Sequence, residues 1–188
     1  MEAFSNACES VARQLLAGIS QNLGMSLDYL GRGFGSDHSS FLRLNYYPPC
    51  AAPDQHLGIS HHTDAGALTV LWQDQQAGLQ FFHNGSWCTV APVPGALVIN
   101  IGDIVQVWSN DRYRAPLHRV LASATESRYS APFFFNPSYD TNYAPVSGAL
   151  AGSAPRYRAI NWGEFRTLRA AGDYADVGEE IQIEHYRI

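Results

Sequence analysis

The feature that most constrains the fold is a series of short apolar segments between residues 41 and 135, each rich in Val, Ile, Leu and aromatic residues and bounded by Gly, Pro, Asn or Asp. Such segments are typical of β-strands, and many of them at close spacing indicate a sandwich or a barrel. Asn84-Gly85 between two of them predicts a tight hairpin. The predicted strands include Phe41 to Tyr47, Leu68 to Trp72, Leu79 to Phe82, Ala96 to Ile101 and Tyr129 to Phe135.

Helices are expected on both sides of this β core. Between Glu2 and Leu23, apolar residues recur every three or four positions, which predicts an amphipathic helix ending near Gly24. Near the other end, Asn161 precedes Glu164 by three residues, a pattern that favours a helix start and predicts a helix from Trp162 to Ala171. The predicted apolar stripes are Phe4, Cys8, Val11, Leu15, Ile19 and Leu23 in the first helix, and Phe165 and Leu168 in the second. The tail shows near alternation of Ile181, Ile183 and Tyr186.

Composition indicates one well-filled domain spanning residues 1–188. The 188 residues are 46% hydrophobic and 15% charged, and the formal net charge is -5. All 12 basic residues are Arg, which excludes a Schiff-base Lys, a P-loop Lys and a Lys general base. The acidic balance argues against a nucleic-acid partner or an anionic membrane surface.

Three cysteines that form no C-x-x-C pair are typical of a reduced intracellular protein: Cys8, Cys50 and Cys88. The first 25 residues contain no unbroken apolar run typical of a signal peptide, and no stretch reaches the length of a membrane span. We therefore expect a soluble, cytoplasmic protein.

A metal site is indicated by His62 and Asp64, which are two residues apart and point to the same face of an extended segment. His118 lies much further along the chain, but a sheet folded into a jelly roll could return it to the first pair. Two His and one carboxylate form the facial triad that leaves three positions of an octahedral Fe(II) open. Zinc is the less favoured alternative, since no general base for hydrolysis is evident. His61 should face away from this site.

An anion site is indicated by Arg128 and Ser130, which share one face of a predicted strand. The fork of an Arg matches a carboxylate through two parallel hydrogen bonds, and the Ser hydroxyl can add a third. Asn45 and Tyr47 form a further pair, and the Tyr47 hydroxyl could reach the same carboxylate. With Fe(II), one Asp carboxylate, a dicarboxylic keto acid and Arg128, the formal charges cancel, which permits burial.

Together these residues resemble the iron(II)- and 2-oxoglutarate-dependent dioxygenases of the isopenicillin N synthase-like group. The resemblance runs from about the first helix to near the C-terminus. Four motifs in the order of the chain carry it: Asn45-x-Tyr47-Pro48-x-Cys50, His62-x-Asp64, His118-Arg119-Val120 and Arg128-x-Ser130.

The resemblance implies a double-stranded β-helix fold, or jelly roll, with helices flanking it at both ends. It implies that His62, Asp64 and His118 are the catalytic Fe(II) ligands, and that Arg128 and Ser130 hold the distal carboxylate of 2-oxoglutarate. The implied reaction hydroxylates a small organic molecule with dioxygen and releases succinate and CO2. Members of this group usually carry a long N-terminal region before the point where this sequence begins. We therefore expect an N-terminally short form, which is either a naturally short protein with an open site or a fragment whose missing part would complete the sheet.

Two other functions remain open at this stage. One is an iron oxidase of the same fold that binds another carboxylate and consumes no 2-oxoglutarate. The other is a jelly-roll binding protein that holds the metal without turnover. An incomplete sheet edge would favour pairing into a homo-oligomer.

Overall fold

The computed structural model describes residues 1–175 and 182–188, with side chains described outside 170–181. Its helices are α1 (Glu2–Asn22), α2 (Asp103–Trp108), α3 (Ser147–Leu150) and α4 (Trp162–Ala175), with 3₁₀ helices at Leu30–Gly33 and Ile183–Tyr186. Its strands are β1 (Phe41–Leu42), β2 (Asn45–Tyr47), β3 (Leu57–His62), β4 (Leu68–Gln73), β5 (Leu79–His83), β6 (Ser86–Thr89), β7 (Val98–Ile101), β8 (His118–Leu121), β9 (Arg128–Phe135), β10 (Asn142–Tyr143) and β11 (Ile160–Asn161). No helix among these described residues is long and apolar enough to cross a membrane.

Two antiparallel sheets form the body of the protein. One has the order β1-β9-β4-β7, with β2 also paired to β9, and the other has the order β3-β8-β5-β6. A cavity between them is lined by residues of both sheets. The fold is mainly β, a jelly roll with helices at both ends, which confirms the predicted fold class.

The predicted strands and hairpin agree with the structure. The segment from Phe41 to Tyr47 divides into β1 and β2, which pair with different parts of β9. In the hairpin, His83 lies opposite Ser86, and Asn84 and Gly85 have φ of 47° and 81°. Two consecutive positive φ angles are what a two-residue type I′ turn requires, and Asn-Gly adopts them readily.

The first helix has the predicted length, and five of the six residues of its predicted apolar stripe lie in the core or pack against it. It ends at Asn22, and Gly24 follows with φ of 74°. Leu15 is the exception at 38% exposed, and Ala12, Leu16 and Ser20 add to the buried face. Ser20 is tolerated there because its hydroxyl donates to the carbonyl of Leu16 at 2.9 Å and accepts the Leu30 N–H at 3.3 Å.

The C-terminal helix starts as predicted, since the Asn161 side chain accepts the Glu164 N–H at 3.1 Å. Its predicted stripe is half wrong: Phe165 is buried, but Leu168 is 48% exposed and Arg169 is buried in its place. The tail, in which the sequence shows near alternation, forms a 3₁₀ helix at Ile183–Tyr186. Ile181 lies outside the described residues.

A carboxylate just after α2 joins three distant parts of the chain. The Asp111 side chain accepts hydrogen bonds from the Tyr157 hydroxyl at 2.6 Å, from Arg156 Nη1 at 3.1 Å, and from Arg187 at 2.8 and 3.1 Å. Although burial alone would raise its pKa, bonds to Arg187, Tyr157 and Arg156 lower the pKa of Asp111 to about 2. This carboxylate therefore stabilises the folded state as an anion.

Asp111→Asn should lower the free energy of unfolding by about 1.5 to 3 kcal/mol at pH 7, because charged hydrogen bonds are lost while Asn tolerates the left-handed φ of 69°. Since the folded-state pKa is depressed, this stabilisation is complete above the ordinary value of 3.8 and is lost as pH falls through about 2. Urea unfolding from neutral to acidic pH measures the difference. Asp28→Asn, which removes an exposed pair with Arg32, is the control and should change the free energy of unfolding much less, because water screens that pair.

Candidate metal centre and active-site cavity

Three predicted metal ligands meet where β3 and β8 run side by side. His62 is the last residue of β3, His118 is the first residue of β8, and the two are directly paired across the sheet. Asp64 follows in the loop after β3. Its Oδ1 lies 3.6 Å from Nε2 of each histidine, and one ligand atom from each of the three residues falls within 4.8 Å of the others.

Backbone carbonyls orient both imidazole rings. Nδ1 of His62 lies 2.8 Å from the carbonyl of Ser60, and Nδ1 of His118 lies 2.9 Å from that of Pro116. A carbonyl oxygen only accepts, so Nδ1 is the donor and Nε2 of the neutral ring keeps its lone pair. Burial, together with the neighbouring His118, lowers the pKa of His62, which favours the neutral ring.

The two oxygens of Asp64 have different surroundings. Oδ2 accepts the Thr69 hydroxyl at 2.5 Å and the Asn100 amide at 2.8 Å, while Oδ1 faces the two histidines. Burial alone would raise the pKa of Asp64, but His118, Thr69 and Asn100 together hold it below its ordinary value. The carboxylate is therefore anionic, with one oxygen fixed by hydrogen bonds and the other available as a ligand.

This donor set suits a divalent transition metal. Two imidazole nitrogens and one carboxylate oxygen converge here, and three protein ligands of these types leave coordination positions open for small molecules. His61 is exposed and is not part of the cluster, as its alternation with His62 predicts.

All seven predicted site residues line one cavity of about 290 Å³ between the sheets. These residues are Asn45, Tyr47, His62, Asp64, His118, Arg128 and Ser130. Much of the remaining wall is apolar, including Leu71, Leu79 and Val120. The cavity therefore connects the metal ligands to the predicted anion site.

Arg128 is a buried cation with unused hydrogen-bonding capacity. It is 3% exposed, and its Nη2 donates to the Gln73 side chain at 2.7 Å. Within the described chain its Nε and Nη1 atoms are buried without any acceptor. Burial lowers the pKa of Arg128 from its ordinary value. Leaving a cation and two N–H groups unpaired inside a protein is costly, so this position calls for an anion.

The strand β2 supplies the neighbours of this cation. Asn45 lies opposite Ser130 and donates to its hydroxyl at 3.2 Å, and Tyr47 lies opposite Arg128. The guanidinium of Arg128 is 5.2 Å from the centre of the Tyr47 ring. Gly58 on β3 makes room for that ring, since a Cβ there would come within 2.9 Å of Tyr47 Cδ1.

Several residues that shape this site carry no local signal in the sequence. Asn100 lies in β7 and donates to Asp64, although the two residues are 36 positions apart in the chain. Thr69 and Gln73 occupy opposite ends of β4, where only the folded sheet brings them beside Asp64 and Arg128. Asn100 stands three residues before Asp103, the first residue of α2. Its sequence context does not distinguish it from an ordinary turn residue.

Asp103 and Arg169 tie the C-terminal helix to the metal loop. Arg169 Nη1 donates to Asp103 at 2.6 Å, and its Nη2 donates to the carbonyl of Thr63 at 2.8 Å. Burial raises the pKa of Asp103 to about 6, although Arg169 opposes the shift. The Asp103 N–H in turn donates to the Asp64 carbonyl at 2.8 Å. These hydrogen bonds anchor the backbone of Thr63 and Asp64 in the ligand loop.

Comparison with known proteins agrees with this geometry. The model of the 2OG-Fe(II) oxygenase superfamily matches residues 38–137, a range that contains all seven site residues. Gibberellin 2-beta-dioxygenase 5 of Oryza sativa subsp. japonica is 40% identical over 153 residues, which are 80% of this chain and 45% of that protein. The chain thus spans about half the length of the curated relatives it matches.

Solved structures show the same fold. The structure of JOX2 in complex with 2OG, Fe and JA superimposes with a TM-score of 0.83 at 33% identity, covering 88% of this chain and 50% of that one. The 2-oxoglutarate complex of dioxygenase for auxin oxidation 1 from Arabidopsis thaliana gives a TM-score of 0.70 at 30% identity, covering 79% and 55%. Since the family match spans over half of the sequence and includes the whole candidate site, this chain belongs to the 2OG-Fe(II) oxygenase superfamily.

Proposed function

We propose that this chain carries the active site of an Fe(II)- and 2-oxoglutarate-dependent oxygenase that hydroxylates a small organic molecule. The observation that carries the proposal is one cavity holding both the histidine-aspartate cluster and a buried arginine with two unpaired N–H groups. The solved structures of JOX2 with 2OG and Fe, and of the Arabidopsis auxin-oxidation dioxygenase with 2-oxoglutarate, support this assignment.

His62, Asp64 and His118 would hold the ferrous ion through Nε2, Oδ1 and Nε2. Arg128 would receive the distal carboxylate of 2-oxoglutarate through its unpaired nitrogens, with Ser130 adding a hydroxyl donor and Asn45 and Tyr47 supporting the pair. When bound, iron and 2-oxoglutarate use dioxygen to place one oxygen atom in a substrate C–H bond and the other in succinate, with loss of CO2.

The protein's own part is to neutralise charge and exclude water. One Asp carboxylate and one Arg cation balance a ferrous ion and a dianionic keto acid, so the assembly is neutral when buried. The apolar walls around Leu71, Leu79 and Val120 keep water from the reacting groups. The hydrogen bonds to Ser60 and Pro116 fix the ligand rings before the metal arrives.

We further propose that residues 1–188 act as one jelly-roll domain in the cytoplasm, with a small molecule and dioxygen as partners. Free Cys8, Cys50 and Cys88 support a reducing compartment. The acidic net charge of -5 supports the absence of a nucleic-acid or membrane partner.

Removal of either type of metal ligand should abolish stoichiometric iron binding. Asp64→Ala deletes the anionic ligand, and His62→Ala deletes one of the two imidazoles, whereas the control His61→Ala alters the exposed neighbour and should keep full occupancy. Metal content after anaerobic Fe(II) loading and dialysis gives the measurement. Stoichiometric iron in Asp64→Ala, with circular dichroism showing an intact fold, would contradict the assigned ligands.

Asn100→Ala should weaken Fe(II) binding by about tenfold or more without abolishing it, because it removes a hydrogen bond that orients a ligand rather than the ligand itself. Equilibrium dialysis over a range of Fe(II) concentrations measures the change. Gln80→Ala is a suitable control, since Gln80 bonds Thr89 and Arg119 on the other sheet. Equal affinities in wild type and Asn100→Ala would show that the Asp64 carboxylate needs no such support.

Arg128→Gln should raise the dissociation constant for 2-oxoglutarate by about 10- to 100-fold while iron stays bound, because charged hydrogen bonds to the distal carboxylate are lost. Calorimetric titration of the anaerobic Fe(II) protein measures this affinity. Arg119→Gln serves as control, since Arg119 stacks on Trp87 and bonds Gln80. Unchanged affinity in Arg128→Gln would assign the keto acid to another cation. Succinate release separates the oxygenase from a binding protein of the same fold.

A further inference from the structure

A second, larger cavity of about 670 Å³ reaches the metal ligands from outside the keto-acid site. Arg128 and Ser130 line the first cavity but not this one, whereas seven residues line both: Arg43, Asn45, Tyr47, Ile59, His62, Asp64 and Phe134. Phe41, which is 40% exposed, adds aromatic surface to its wall. Its position makes it the space in which an organic substrate can approach the metal while the keto acid occupies the first cavity.

The charged side chains around this larger cavity are unbalanced. Three arginines line it, whereas Asp64 is the one acidic residue among the lining residues that the structure describes. Arg169 is paired with Asp103, but Arg43 and Arg166 form no ion pair within the described part of the chain. The Arg43 guanidinium lies 5.2 Å from the centre of the Phe134 ring, so one of the unpaired cations sits directly on the aromatic wall.

The excess of arginines around this cavity contrasts with the acidic charge of the whole protein. The protein carries a formal net charge of -5, yet the cavity wall presents two cations beyond those already balanced. In the proposed function, Asp64 and Arg128 are balanced by the metal and the keto acid together. Arg43 and Arg166 therefore leave an excess of two positive charges for whatever enters the larger cavity.

We propose that the substrate is an organic anion, with an oxyanion head group held by Arg43 and Arg166 and an apolar body packed on Phe41 and Phe134, whose rings lie 4.9 Å apart. This inference rests on the proposed function, because it identifies the substrate class of that same site. A guanidinium offers paired N–H donors to a carboxylate or a phosphate, and an aromatic wall stabilises an apolar ring. The head group would fix the orientation in which the body faces the metal ligands.

Equilibrium dialysis under anaerobic conditions, with Fe(II) and saturating 2-oxoglutarate present, tests the head group directly. The probes are phenylacetate, 1-naphthaleneacetate and 9-anthraceneacetate, each compared with its neutral primary amide. Phenyl phosphate and 1-naphthyl phosphate form the second arm, which distinguishes a phosphate from a carboxylate preference. Saturating 2-oxoglutarate keeps the probes from Arg128.

At least one anion should bind about tenfold or more tightly than its neutral partner. Arg43→Gln and Arg166→Gln should each weaken the binding of that anion by about tenfold and leave the affinity for the amide unchanged. Arg43→Lys should retain part of the preference for the anion. Arg32→Gln is the matched control, because it removes the same charge from an exposed residue paired with Asp28, and it should have no effect.

Equal binding of anions and amides, absence of binding by every anion, or an unchanged preference in both Gln variants would overturn this inference. Retention of 2-oxoglutarate is measured in the same chambers. A wild-type protein that keeps iron and 2-oxoglutarate but shows no anion preference refutes the substrate class alone. A wild-type protein that fails to retain 2-oxoglutarate refutes the proposed function instead.

Discussion

The whole site depends on the hydrogen bonds that Thr69 and Asn100 donate to one oxygen of Asp64 but not to the other. Thr69 and Asn100 hold Oδ2, and this leaves Oδ1 between two Nε2 atoms at 3.6 Å. Without those donors, the carboxylate could rotate and bond a protonated histidine, which would produce an ordinary buried ion pair. The two donors come from neighbouring strands, β4 and β7, so the ligand geometry is a product of the completed sheet.

Arg128, which is also buried in this cavity, is likewise positioned by residues of several strands. Its stem lies on β9, its guanidinium lies beside Tyr47 on β2, and its one hydrogen bond goes to Gln73 on β4. Three strands of one sheet thus hold a cation whose remaining N–H groups point to no protein acceptor within the described residues. A folded protein retains such an arrangement at a cost in stability, which a bound dicarboxylate can offset.

Sequence patterns predict most of the architecture because the relevant signals are local. The hairpin at Asn84-Gly85, the start of α4 at Asn161 and the length of α1 follow from turn chemistry and capping, which need no knowledge of distant contacts. The buried faces of the helices are harder to predict. Leu15 and Leu168 are apolar but largely exposed, whereas Ser20 and Arg169 are buried because hydrogen bonds satisfy them.

The residues of the candidate site also differ in whether local sequence signals predict them. Arg128 and Ser130 stand two residues apart on β9, so strand parity alone places them on one face. His62 and Asp64 have the same spacing, but Asp64 lies just beyond the end of β3. The residues that orient these pairs lie on other strands or helices, and no spacing rule connects Asn100 to Asp64 or Gln73 to Arg128. Those partners become visible only when the register of the sheets is known.

The anchoring of the ligand loop follows from this difference. Asp64 lies in a loop rather than on a strand, so it lacks the ladder of hydrogen bonds that fixes His62 and His118. The N-terminus of α2 supplies the missing constraint, since the Asp103 N–H bonds the Asp64 carbonyl and a Cβ on Gly102 would come within 2.7 Å of that same oxygen. Arg169 then joins Asp103 to the Thr63 carbonyl. A loop ligand is thus held in place by two helices, and the strands are left to form the walls of the cavity.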